Sequence, residues 1–174
     1  MKTKLILVVL FAALTTMGFD CINDEVSISV NLQGVAGTFV VNPGSNVNLN
    51  SCTAPINSSD YLDSDFGTIG GVRIYDIQVS TIGSYPGSIA NGRVTVNGTT
   101  ILTYSGTWAA FNTPQSLITS PLITRSPGGV QALVSAILAR QQIVICGLGT
   151  MSQQVTQSNL AIKVEVFGQV DGQL

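Results

Sequence analysis

The chain has 174 residues, enough for one ordinary domain, and 45% of them are apolar, so a buried core is within reach. Only 9% are charged, against roughly 25% in a typical domain, and the net charge is −2. There is no histidine, which removes the commonest general base, the Ser-His-Asp and Cys-His arrangements and most zinc sites. No basic cluster is present to meet nucleic acid or an anionic membrane. With so few charges the surface falls to Gly, Ser, Thr, Asn and Gln. That composition fits an exported β-protein hydrated through hydroxyls and amides, or a subunit that packs against copies of itself.

Residues 1–14 have the form of a secretory signal. Lys2 and Lys4 precede an apolar run over residues 5–14, too short for a bilayer span of about 20 residues. Thr16-Met17-Gly18 offers small residues for cleavage after Gly18. Cleavage before Cys21 would make that cysteine a candidate lipid acceptor, although Phe19-Asp20 stand where a lipoprotein has a small residue. The expected organisation is a signal over 1–20 and a single domain over 21–174. Loss of Lys2, Lys4 and Asp20 with the leader leaves five basic and eight acidic residues, a net of −3.

From Glu25 apolar and polar residues alternate. Val26, Ile28, Val30 and Leu32 set against Ser27, Ser29 and Asn31 read as a half-buried strand. Gly34 and Gly37 break it, residues 39–41 resume it, and Asn42-Pro43-Gly44-Ser45 is a turn. Val47 and Leu49 begin a short strand that ends near Cys52. Residues 54–65 read as a loop. Its Asp60, Asp63 and Asp65 come nearest to a Ca²⁺ or acid-pair site, but the glycine and distant glutamate of the usual Ca²⁺ loop are missing, so solvated acids are the preferred reading.

Gly70-Gly71 opens the central strand, residues 72–80, which begins the stretch 72–104 around which the rest is expected to be built. The strand's alternation changes phase: Val72 and Ile74 share one face, Tyr75, Ile77 and Val79 the other. A bulge near Tyr75-Asp76 is expected, because Asp76 and Gln78 would otherwise point inward. Residues 83–92 read as a long connection. Residues 93–96 and 99–104 then pair through Asn97-Gly98, a type I′ turn pair, with Val96 facing Thr99 and Val94 facing Ile101. Trp108 and Phe111 follow, as core or lid.

The one helix is expected over about 127–141. Ser126 would cap it, Pro127 would take the first position, and Val130, Leu133, Val134, Ile137 and Leu138 make its apolar stripe. An interior strand over 142–146, ended by Gly147 and Gly149, and an alternating strand over 159–170 close the chain. The expected fold is mainly β: an antiparallel sandwich of about seven to nine strands with one capping helix. The three cysteines lack metal-ligand spacing. In an oxidising compartment Cys52 and Cys146 are a candidate disulfide, which leaves Cys21 over; inert buried thiols are the alternative.

The signal ending near Cys21, the SSDYLDSDFGTIGGVRIYDIQV lead into the central strand, the Asn-Gly hairpin, the Pro-Gly helix start and the final alternating strand occur in a telling order. In that layout the chain resembles small exported β-sandwich lipoproteins of unknown function from Gram-negative bacteria. The resemblance implies a compartment (periplasm, outer-membrane surface or extracellular space) and a fold, and it brings no catalytic residues. The leading functional expectation is a non-enzymatic envelope or surface protein acting by packing or assembly, with copies of itself or other envelope proteins as partners. Val26, Ile28 and Val30 mark the candidate self-association edge. The alternative is a module that binds an apolar or glycan ligand in the sandwich, under the helix or near Trp108. An enzyme using Asp60 and Asp63 is a distant third. No cofactor, no metal and no nucleic acid is expected, and membrane contact only through an N-terminal lipid.

Overall fold

A computed structural model describes residues 27–32, 35–44, 47–62 and 67–173. The leader, Cys21, Val26, Asp63 and Asp65 lie outside the described residues.

Two five-stranded antiparallel sheets face each other across one core. The first contains β1 (Ser27–Leu32), β2 (Ala36–Val41), β4 (Thr68–Ile82), β7 (Gln115–Ser116) and β10 (Leu160–Gln173); the second runs β3 (Asn48–Cys52), β9 (Ile145–Met151), β5 (Ser88–Val96), β6 (Thr99–Thr107), β8 (Ile123–Arg125). A four-residue helix, α1 (Ser58–Tyr61), lies in the expected loop, and α2 (Gly129–Leu138) packs on β4 and on β5 and β6, closing one open side between the sheets. The fold is thus the expected antiparallel sandwich. It has ten strands among the described residues where seven to nine were expected, the extra ones being short edge pieces such as β7 and β8.

In the first sheet β10 is the strand that pairs with three others, while the 72–104 stretch divides between the sheets, as β4 in the first and β5 and β6 in the second. β4 pairs with β10 along its length on one side, while β2 and β1 follow one another along the other. Leu160, Ile162, Val164, Val166 and Val170 point into the core, as their alternation predicts. The bulge expected at Tyr75 is present: Phe167 pairs with Asp76 and Gly168 with Ile74, so Tyr75 is the extra residue. A second bulge at Gly70 lies between Ile69 and Gly71. Together they keep Ile69, Val72, Ile74, Ile77 and Val79 turned to the core through two changes of phase.

In the second sheet Asn97 (φ +47°) and Gly98 (φ +82°) make the expected left-handed hairpin turn, with Val96 opposite Thr99. Val94, however, pairs with Leu102 and not Ile101. The slip leaves the Ile101 carbonyl free to accept from Ser126 N at 3.0 Å, and both Ile101 and Leu102 are buried. The 83–92 connection also differs: β5 already begins at Ser88, and Asn91 (φ +52°) with Gly92 bulges inside it. A Cβ at Gly92 would stand 2.5 Å from the Tyr104 carbonyl and 2.7 Å from its ring, so only glycine lets Tyr104 lie there.

Gly147 and Gly149 do not end β9 but lie within it. The ring of Phe39, reaching across from the first sheet, would sit 2.6 Å from a Cβ at Gly147. The helix starts two residues later than its cap signal implies. Ser126 offers its carbonyl, not its hydroxyl, and Gly128 (φ +74°) leads into Gly129, which lies against the β6 backbone at Thr100. Its C-terminus closes on Arg140 (φ +50°), with Gln141 N donating to Ala136 O and Arg140 N to Ile137 O, a Schellman arrangement. Val130, Leu133 and Ile137 are buried, whereas Leu138 is 41% exposed.

Candidate functional site

The sequence candidates fall into three groups. Trp108 and Phe111 form a 3-10 turn after β6 and are fully buried. Trp108 donates its indole N–H to Gly83 O at 3.0 Å and meets Tyr85 edge-on, with ring centres 5.6 Å apart. It is core, not a ligand platform. The space under α2 is filled by its own Val130, Leu133, Ala136 and Ile137.

The acids and cysteines come next. Asp60 accepts from Asn57 N at 2.7 Å and fastens the start of α1. Among the described residues no group of three metal-ligating side chains occurs. Cys52 and Cys146 are directly paired across β3 and β9 and form a disulfide, with Cα atoms 4.0 Å apart. Cys52 is exposed and Cys146 half-buried, so the bond lies on the outer face of the second sheet.

The third group is the edge. β1 places Ile28 opposite Gly172 and Val30 opposite Val170 of β10, and no described strand pairs with its other side. Among the described residues, one side of its main chain is therefore an open row of donors and acceptors. Between the end of β1 and the start of β2 the edge is interrupted, and Val166 N donates to Val35 O at 3.1 Å in the gap. A groove of about 460 Å³ opens at this junction. Leu32 and Val35, both buried, form its base, and Tyr75 and Phe167 (47% and 42% exposed) form its wall, with Asn31 and Glu165 at its polar margin.

The bulge is what aims Tyr75 outward beside Phe167. Its phenol donates to the side-chain oxygen of Gln169, and Glu165 is held by Lys163 at 2.8 Å. The edge can take an extended strand through main-chain hydrogen bonds, and the groove can seat a flat or apolar group beside it. The sequence pattern put Tyr75 on the same face as Ile77 and Val79. Phe167 was visible only as an aromatic out of phase in a polar row. Comparison of the chain with protein-family models, curated proteins and solved structures finds no match.

Proposed function

We propose that this is an exported, non-enzymatic protein of the cell envelope or surface that works by packing against copies of itself or other envelope proteins through the β1 edge. The observation that carries the reading is the open side of β1, a regular strand with no charge and no proline along Ser27–Leu32. Exposed edges are normally blunted by lysine, proline or a covering element. Export is supported by the leader-like residues 1–20 and by the Cys52–Cys146 disulfide, a bond suited to an oxidising compartment. Among the described residues no helix is long and apolar enough to cross a membrane, and lipid on Cys21 would supply the anchor. Static light scattering of the exported domain over a range of protein and salt concentrations tests this. Association should persist at high salt, since neutral groups make the contact, and Ser29→Lys should weaken it. A monomer at every concentration would refute it.

A second reading is favoured by the groove: a binding module whose Tyr75 and Phe167 receive an apolar or ring-shaped group. Phe167→Ala should then abolish binding of an apolar dye to the native protein while leaving its mass unchanged.

A further inference from the structure

The outer face of the second sheet carries an arrangement unrelated to the β1 edge. Arg93 in β5 pairs with Leu148 of β9 on one side and Thr103 of β6 on the other. Those pair in turn with Asn50 of β3 and Thr124 of β8. A single ladder, Asn50, Leu148, Arg93, Thr103, Thr124, therefore crosses all five strands with its side chains on one face. Arg93 stands at its centre, exposed, with no hydrogen bond or ion pair among the described residues. The strands of this sheet contain no Asp or Glu.

Next to Arg93 the Asn91-Gly92 bulge bends β5, and two open grooves meet there. One, about 440 Å³, leads over Thr103, Ser105 and Thr124; the other, about 510 Å³, leads over Asn48, Asn50 and Thr150. Both are lined by Asn91 and Arg93. The result is a trough lined by amides and hydroxyls together with the apolar Pro121, Leu122 and Leu148, with a guanidinium at its middle that has no partner among the described residues, on a chain whose net charge is −2.

We propose that this face binds an acidic polysaccharide, with Arg93 gripping a carboxylate or sulfate and the Asn and Thr side chains hydrogen-bonding sugar hydroxyls. A guanidinium presents a fork of donors that matches either anion in two-point contact. No strand of this sheet supplies a carboxylate to compete for it. Amides and hydroxyls both donate and accept, as sugar hydroxyls do, so a row of them suits a hydroxyl-rich ligand. A nucleic acid is less well matched: it carries a phosphate on every unit and calls for many Lys and Arg contacts, whereas these strands offer only Arg93 and Arg125.

Affinity electrophoresis and calorimetry of the full exported chain with polygalacturonate, dextran sulfate and uncharged dextran test the proposal. Polygalacturonate or dextran sulfate should bind at least about tenfold more tightly than dextran. Arg93→Gln should weaken that binding by about ten- to a hundredfold, the value of hydrogen bonds to a charged group. Arg93 is exposed and has no partner among the described residues, so the variant should fold and melt like the parent. Arg125→Gln removes the same charge from the same sheet outside both grooves and should change affinity less than twofold, as should Phe167→Ala at the first sheet's groove. The proposal is overturned if Arg93→Gln binds as well as the parent, if Arg125→Gln loses as much, if dextran binds equally, if a DNA duplex binds more tightly than either acidic glycan, or if neither acidic glycan binds at millimolar sugar.

Discussion

The strands of the first sheet carry Arg73, Asp76, Lys163, Glu165 and Asp171; those of the second carry Arg93 and Arg125 and no carboxylate. In the first sheet every one of these charges has a partner. Arg73 meets Asp171 at 3.8 Å and Lys163 meets Glu165 at 2.8 Å. Asp76 accepts from Ile77 N, Gln78 Nε2, Ser116 Oγ and Leu117 N, at 2.8 to 3.1 Å, which ties β7 to β4. The second sheet is fastened by a covalent bond and by shape: the Cys52–Cys146 bridge, Phe39 over Gly147, and α2 against β6 at Gly129. The charges of the first sheet's strands are thus paired or hydrogen-bonded, whereas Arg93 and Arg125 of the second have no partner among the described residues.

Breaking the disulfide should have the largest effect on this contrast. It closes a loop with sequence separation 94, and its loss should destabilise the fold by about 4–5 kcal/mol in the chain-entropy account. Denaturant unfolding of the Cys52→Ser/Cys146→Ser variant measures it. Phe39→Ala should cost about 3–5 kcal/mol, because a fully buried ring that joins both sheets leaves a cavity. Gly147→Ala should also destabilise, and less so when Phe39 is already Leu; a double-mutant cycle in denaturant reads that coupling.

Asp76→Ala removes the acceptor of four hydrogen bonds and should cost about 2–3 kcal/mol. Hydrogen exchange should then speed up at Ser116 and Leu117 before it does in β10.

Alkaline pH gives a smaller, directional effect. Burial pushes the Tyr104 phenol well above its ordinary value, while the unfolded chain ionises near about 10. Stability from this group is therefore complete below about pH 10 and declines as pH rises above it, because only the unfolded state gains the charge. Tyr104→Phe should flatten that alkaline decline in a series of denaturant melts.

Much of this architecture was legible where local chemistry decides it. The alternation of β10, the Asn97-Gly98 turn and the Tyr75 bulge follow from neighbouring residues, and the cysteine pair from the oxidising compartment that the leader implies. What escaped was set by distant contact. Gly147 and Gly149 look like strand breakers until Phe39 is seen above β9, and the slip at Ile101 falls where Ser126 and the start of α2 dock, a contact distant from the hairpin turn. The groove was half visible. Phe167 stood out of phase, but Tyr75 faces outward only because the bulge reverses it. Arg93 carried no local signal, since its setting depends on the register of five strands.

Hydrogen–deuterium exchange across residues 27–32 at low and high protein concentration tests the central functional claim most directly. In an edge strand the amides not bonded to β10 face outward and exchange freely. If β1 is the assembly edge, those amides should become protected as concentration rises, and Ser29→Lys should keep them exchanging. Equal exchange at both concentrations, or protection that appears elsewhere while β1 stays open, would contradict the account.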